Sequence, residues 1–190
     1  GEFYQLDIEM SFVEQEDVFN IVEKLLVNTF KKFSNKKLMY DQFPKISYIN
    51  SMLKYGTDKP DLRNPLLIND ITEIFTREDV SFEIFKKLVK SGSQVRCIST
   101  KNTKDKPRSF FDNIDKWAKE QGASGLAYFT FEKDGDLSAK GPIGKFFSEE
   151  ALLEIMKKTN SEVGDSIFLA CGKKNELEKI TAQARDKIAK

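Results

Sequence analysis

Residues 3–12 alternate between apolar and polar side chains with the two-residue period of a β-strand. One face of this predicted strand is apolar and consists of Tyr4, Leu6, Ile8, Met10 and Phe12. The other face begins with an aromatic ring and is otherwise polar: Phe3, Gln5, Asp7, Glu9 and Ser11. A well-formed strand gains little from such a polar face unless water or a ligand lies against it. The pattern alone leaves both a solvated face and a ligand-binding face open.

A second candidate for binding is the segment 86–108, where only Asp105 opposes eight basic residues. These are Lys86, Lys87, Lys90, Arg96, Lys101, Lys104, Lys106 and Arg108. Such a segment can neutralise the phosphates of a nucleic acid. The alternative is a solvated loop and strand edge, where lysines discourage pairing with another sheet. The segment 141–144 superficially resembles a glycine clamp for an RNA backbone, but its two glycines favour a plain turn.

The composition excludes several classes of protein. The chain has 190 residues, 39% of them hydrophobic, which is enough to bury a core. Its net charge of +1 argues against a strongly cationic nucleic-acid module, and the absence of histidine excludes imidazole chemistry within the chain. Cys97 and Cys171 are isolated in apolar runs, which favours buried thiols in a reducing cytosol. No apolar run approaches the roughly 18 residues of a membrane span.

The first seventy residues contain two predicted helices and a connector. Asp17 is positioned to cap a helix that runs to about Phe33. A short helix is expected near residues 46–54. The segment 55–65 contains two prolines and a glycine and predicts an ordered loop.

From about residue 71, strands and helices alternate. Strands are predicted over 95–99, 126–132 and 166–171, whereas 82–88 is ambiguous between strand and helix. Helices are predicted to begin at caps provided by Ser109, Ser148 and Asn175. This order predicts an α+β fold, with a two-layer antiparallel sheet that carries helices on one face.

Two segments then resemble one family. Residues 2–12, Glu-Phe-Tyr-Gln-Leu-Asp-Ile-Glu-Met-Ser-Phe, resemble the end of motif 2 in bacterial-type aspartyl-tRNA synthetases, which are class II enzymes. Residues 55–65 resemble that family's Tyr-Gly-Ser-Asp-Lys-Pro-Asp-Leu-Arg signature. The chain from about residue 75 resembles the family's GAD insertion domain, with matches at 125–128 and 145–147.

The resemblance implies an aspartate–tRNA ligase, which activates aspartate with ATP and transfers it to tRNA. By position, Phe3 matches the aromatic residue that stacks on the ATP adenine. Gln5 and Asp7 match residues that hold the substrate's ammonium, which suits an amide oxygen and a carboxylate. ATP and Mg are expected as substrates of the parent enzyme, with none bound to this chain and no metal site within it. In the parent, we expect the loop lysines Lys101, Lys104 and Lys106 to contact the tRNA.

The resemblance also implies how the chain is organised. Residues 1–71 correspond to part of the catalytic domain, with the motif 2 strand, a helix and the connector, and residues 72–190 to a DCoH-like GAD domain. Because motifs 1 and 3 and the motif 2 arginines are absent, we expect the chain to be catalytically inactive. The start Gly1-Glu2-Phe3, without Met, indicates an excised segment. The parent is expected to be a cytoplasmic homodimer without a membrane partner, and the chain itself a monomer. The alternative is a free-standing, RNA-associated binding module built on the GAD domain.

Overall fold

The computed structural model describes residues 1–189, which form two compact units that divide between Ile46 and Ser47. The first unit comprises residues 1–46, and the second begins at Ser47. Residues 47–71 therefore pack with the sheet domain. The division at 71/72 concerns the domains of the parent enzyme and stays a prediction.

The first unit is built on helix α1 (Gln15–Phe33). Its N-cap is Glu14, and Asp17 occupies the third helical position rather than the predicted cap. The Asp17 carboxylate accepts a hydrogen bond from the Glu14 backbone N–H at 2.9 Å, which closes a capping box. The helix ends at Phe33, as predicted.

Residues 1–10 have no regular secondary structure, so the predicted half-buried strand over 3–12 is wrong for this chain. Leu6 and Ile8, which were expected to face a core, are 66% and 47% exposed. A strand is stabilised by the ladder of hydrogen bonds to a neighbour, and none of the described residues pairs with this segment. The alternation of apolar and polar residues determines which side chains would share a face of a strand, but it does not provide the neighbouring strand that a sheet requires.

The second unit begins with helix α2 (Tyr48–Tyr55), which is capped by the Ser47 hydroxyl. The helix ends at Gly56, whose φ of 71° lies in the left-handed region. A Cβ at position 56 would come within 2.7 Å of the Ala182 Cβ. Glycine is therefore required both by the turn and by the close approach of the connector to the last helix.

The five-stranded sheet is entirely antiparallel and has the order β1-β2-β5-β3-β4. Its strands are β1 (Ile68–Asp70), β2 (Gln94–Thr100), β3 (Ala127–Asp134), β4 (Asp136–Lys140) and β5 (Ser166–Gly172). This confirms the predicted α+β class and the antiparallel sheet. The short edge strands β1 and β4 were not predicted, because neither contains a long apolar run.

Helices cover both faces of the sheet. Helices α4 (Arg108–Glu120) and α6 (Lys174–Ile188) pack on one face, as predicted. Helices α3 (Glu83–Lys90) and α5 (Glu149–Thr159), with two short 3-10 turns, pack on the other. Successive residues of β5 alternate between the two cores, which makes the fold three-layered rather than two-layered.

One of the three N-caps predicted for α4, α5 and α6 is confirmed. Ser148 caps α5 as predicted, and its hydroxyl accepts from the Ala151 N–H at 3.0 Å. In contrast, α4 begins after Pro107 rather than at Ser109, and α6 after Lys173 rather than at Asn175. These two helices have no side-chain cap, so no N-cap side chain marks the residue at which they begin.

The connector is held to α6 by the buried side chain of Arg185, which is 2% exposed. Its Nε donates to the Leu66 carbonyl at 2.6 Å, and its Nη2 donates to the carbonyls of Asp61 at 2.9 Å and Asn64 at 2.6 Å. The guanidinium carbon lies 5.0 Å from the centroid of the Tyr55 ring. Three carbonyls and one ring thus compensate for removing this cation from water.

We expect Arg185→Met to destabilise the chain by about 2–4 kcal/mol, because it removes charge-assisted hydrogen bonds and leaves three carbonyls without their donor. Urea denaturation followed by circular dichroism measures this loss. Arg63→Ala is the control, since Arg63 makes an exposed pair with Asp61 in the same connector, and its urea midpoint should equal that of the wild type. Equal midpoints for wild type and Arg185→Met would contradict an anchoring role.

Candidate functional site

The candidate substrate residues of the first unit are all exposed. Phe3 is 79% exposed, and Gln5 and Asp7 are also exposed. Within residues 1–189, neither the Gln5 nor the Asp7 side chain makes a hydrogen bond or ion pair. The segment therefore presents a ring, an amide and a carboxylate that are available to a ligand, at alternate positions of one extended stretch.

The basic segment 86–108 does not form one surface. Lys86 donates to the backbone carbonyls of Arg77 at 2.7 Å and Val80 at 2.8 Å. Arg96 is only 3% exposed and lies 3.3 Å from Glu178 of α6. These two cations have partners inside the fold and are not available to a large anionic partner.

Lys101 also has partners within the protein, centred on Asp165. The Lys101 Nζ lies 2.8 Å from one Asp165 oxygen and 2.6 Å from the Asn160 carbonyl oxygen. The backbone N–H groups of Asn102 and Glu162 donate to the same carboxylate at 2.9 and 2.8 Å. Burial raises the pKa of Asp165, but these three donors outweigh it and hold the pKa below its ordinary value. The geometry gives Lys101 a structural role.

Lys104 and Lys106 instead line an open cavity of about 470 Å³ beside the start of α4. We call it the basic cleft and define it by its four cations: Lys104, Lys106, Arg108 and Lys140. Glu132 is the one acidic residue that lines it. The floor is formed by Phe111, Tyr128 and Thr130, and the Gly141-Pro142 turn completes the rim.

Sequence reasoning missed Lys140 as a member of this site. Lys140 lies at the end of β4, more than thirty positions from the basic segment, and β4 itself was not predicted. The one local signal was the turn at Gly141, where φ is 134° and a Cβ would lie 3.0 Å from the Phe129 Cα. That close packing holds the β4 end against β3 and brings Lys140 to the cleft.

Metal and thiol chemistry find no support among the described residues. Within residues 1–189, no three His, Cys, Asp or Glu side chains are grouped so that they could hold a metal ion. Burial raises the pKa of the Cys97 thiol well above its ordinary range and that of Cys171 to about 11. Both thiols are therefore protonated near neutral pH, in keeping with a structural role.

None of the helices in the described part of the chain is both long and apolar enough to cross a membrane.

We expect Asp165→Asn to destabilise the fold at pH 7, because an amide cannot replace a carboxylate that accepts from three donors. The folded-state pKa of Asp165 is lowered, so its contribution is complete above the unfolded-state value of about 4 and is lost as the pH falls through the folded-state value. The difference in unfolding free energy between wild type and Asp165→Asn should therefore narrow below about pH 4. Urea denaturation from pH 7 to pH 3 measures it.

Glu162→Gln is the control for this series, since residue 162 contributes only its backbone N–H to the cluster. It should unfold as the wild type does throughout. A difference between wild type and Asp165→Asn that does not change with pH would contradict ionisation of Asp165 in the folded state.

Comparison with known proteins identifies the family to which this chain is similar. The family model described as tRNA synthetases class II (D, K and N) matches residues 1–181. An aspartate–tRNA(Asp/Asn) ligase of Pelagibacter ubique is 78% identical over 190 residues, which is all of this chain and 32% of that protein. A ligase of the same name from Ehrlichia chaffeensis is 52% identical over 190 residues and is covered to 31%.

A third relative with that name, from Wolbachia pipientis wMel, is 55% identical over 186 residues, which is 97% of this chain and 30% of that protein. The chain thus spans about a third of the length of the curated relatives it matches. Because the family model matches nearly all of its residues, the chain belongs to the class II tRNA synthetases of the D, K and N type.

Proposed function

We propose that this chain is a segment of an aspartate–tRNA ligase, which activates aspartate with ATP and transfers the aspartyl group to tRNA. The observation that carries the proposal is the 78% identity to an aspartate–tRNA(Asp/Asn) ligase along the whole chain. The relatives' names include both tRNAs, which supports the same pair of tRNA substrates for the parent. We further propose a cytoplasmic, homodimeric parent, as the family resemblance implies.

The exposed apolar surface of the first unit supports a place within a larger catalytic domain. No residue among 1–46 is fully buried. Helix α1 exposes a series of apolar side chains by between 37% and 48%: Val18, Phe19, Ile21, Val22, Leu25, Leu26 and Phe30. Apolar surface of this extent marks an interaction surface. We propose that the remainder of the catalytic domain covers it and also provides the neighbouring strand for residues 3–12.

Within that domain, Phe3, Gln5 and Asp7 are proposed to bind substrate. The Phe3 ring would stack on the adenine of ATP, which supplies the adenylyl group. The Gln5 amide oxygen and the Asp7 carboxylate would accept hydrogen bonds from the ammonium of aspartate.

The chain by itself should not activate aspartate. The proposed substrate residues provide no cationic group for the phosphates of ATP, and adenylyl transfer depends on such positioning and charge. Aspartate-dependent exchange between ATP and pyrophosphate should remain at background with the purified chain and proceed with the full-length parent. Clear turnover by the chain would contradict this assignment. A silent parent would contradict the proposed function.

In the full-length parent, Asp7→Ala should lower the aspartate kcat/KM by about tenfold to a hundredfold, because one charged partner of the ammonium is lost. Its thermal stability should equal that of the wild type. Exchange kinetics at varied aspartate, together with thermal melting, measure both effects.

Leu6→Ala is the matched variant on the adjacent residue. In the full-length parent it should cost about 2–5 kcal/mol by opening a cavity. In the isolated chain, where Leu6 is 66% exposed, it should leave the melting temperature unchanged. Early melting of Asp7→Ala with normal aspartate kinetics would show that the two faces are assigned the wrong way round.

A further inference from the structure

We propose that the basic cleft binds the phosphodiester backbone of RNA. The inference rests on the proposed function only in taking RNA as the partner of the parent enzyme. The site shares no residue with the proposed substrate residues near the N-terminus and is assembled entirely within the second unit. Its residues come from the loop before α4, from α4 and from the β3–β4 hairpin.

The cleft is lined by four cations and by one carboxylate, that of Glu132, and Asp112 pairs with Arg108 beside it. Within residues 1–189, neither Lys104 nor Lys106 forms an ion pair, and the Lys106 ammonium lies 5.7 Å from the Phe110 ring centroid. A lysine ammonium beside an aromatic ring still has N–H groups that can donate to solvent or to a ligand. Two positive charges therefore face the cavity without a compensating carboxylate.

The other two cations have partners that a phosphate can replace. Arg108 lies 3.3 Å from Asp112, and Lys140 lies 3.4 Å from Glu132. The arginine and lysine side chains are 84% and 76% exposed. Ion pairs this exposed contribute little stability, so exchanging a carboxylate for a phosphate oxygen costs little.

The floor beneath these cations is buried and closely packed. The rings of Phe111 and Tyr128 stack with centroids 4.6 Å apart, and both residues are at most 9% exposed. The Thr130 hydroxyl is already hydrogen-bonded to Ser166 inside the protein at 2.8 Å. The floor thus joins α4 to the sheet by buried contacts, whereas the long basic side chains above it are exposed to solvent.

This arrangement favours an extended polyanion over a small ligand. A cavity of about 470 Å³ is far larger than one phosphate group, and every cation that lines it is exposed. A selective site for a small anion would have buried donors in fixed positions. The buried Arg185 guanidinium, which donates to three backbone carbonyls, shows what such donors look like in this chain. Long, exposed basic chains along an open groove instead match the repeated charges of a nucleic-acid backbone.

The test uses the 190-residue chain and a fluorescently labelled tRNA(Asp) transcript in an anisotropy titration across a salt series. The cleft variant is Lys104→Glu/Lys106→Glu/Lys140→Glu. The control variant, Lys87→Glu/Lys90→Glu/Lys157→Glu, changes the net charge equally, but its exposed lysines lie on α3 and α5, which cover the other face of the sheet.

We expect the cleft variant to lose at least tenfold in affinity and the control less than threefold. The slope of log K against log salt should become shallower by about two to three for the cleft variant, because three phosphate contacts are removed. Circular dichroism and melting verify that both variants fold. The milder set Lys104→Gln/Lys106→Gln/Lys140→Gln, with its matched control, replaces them if either does not.

Three results would overturn the proposal: no RNA binding by the wild-type chain, equal weakening by both variants, or complete displacement of the RNA by millimolar pyrophosphate, which would indicate a small-anion site. Failure of the proposed function is read separately, from ATP–pyrophosphate exchange by the unaltered full-length parent. If the parent shows normal ATP–pyrophosphate exchange but both variants lose RNA affinity equally, the proposed function stands and only the RNA site at the cleft is rejected.

Discussion

The buried guanidinium of Arg185 is the interaction on which the organisation of the second unit depends. A cation removed from water must find acceptors, and within α6 Arg185 has the Asp186 carboxylate 3.6 Å from its Nη1. The connector supplies three closer acceptors as backbone carbonyls, which fixes its path from Asp61 to Leu66 just before β1 begins. The Tyr55 ring and the close approach of Gly56 to Ala182 join α2 to the same helix. The signature over 55–65 thus has a structural explanation within this unit.

The sheet accounts for the different roles of the basic residues that follow. Arg96 points to the face covered by α6 and pairs with Glu178 there, whereas the neighbouring Val95 and Cys97 belong to the opposite core. Beyond the end of β2, Lys101 turns back to Asp165, which precedes β5. After that turn, Lys104 and Lys106 lie beside the β3–β4 hairpin, whereas Lys87 and Lys90 are exposed on α3. The topology therefore divides this basic segment into cations with partners inside the fold, exposed lysines on α3 and the cations of the cleft.

The two units differ in how they use apolar side chains. The second buries them in two clusters, one on each face of its sheet. The first, described by itself, leaves the apolar positions of α1 and of residues 3–12 partly or largely exposed. A helix with a regular apolar stripe and a strand-like alternation are both features that evolve against a packing partner. Membership of the class II synthetases provides a natural context for such a segment.

The sequence by itself determined the family, the α+β class, the three central strands and the Ser148 cap, because each depends on local spacing or a local motif. The motif at 2–12 and the signature at 55–65 identified the chain without any knowledge of its contacts. The same local information placed Phe3, Gln5 and Asp7 at alternate positions of one segment, although their substrate roles remain a proposal.

Only the tertiary structure decided the features that require distant residues to meet. Residues 82–88 became helix α3 because Phe85 and Val89 pack on the sheet, whereas residues 3–12 formed no strand because no described neighbour pairs with them. Helices on both faces, the edge strands β1 and β4, and the partners of Arg185 and Lys101 likewise depend on contacts across many positions. The basic cleft brings Lys104 and Lys140 together for the same reason. The sequence specifies the charge and hydrogen-bonding groups of each residue, whereas the fold determines which of them lie close to one another.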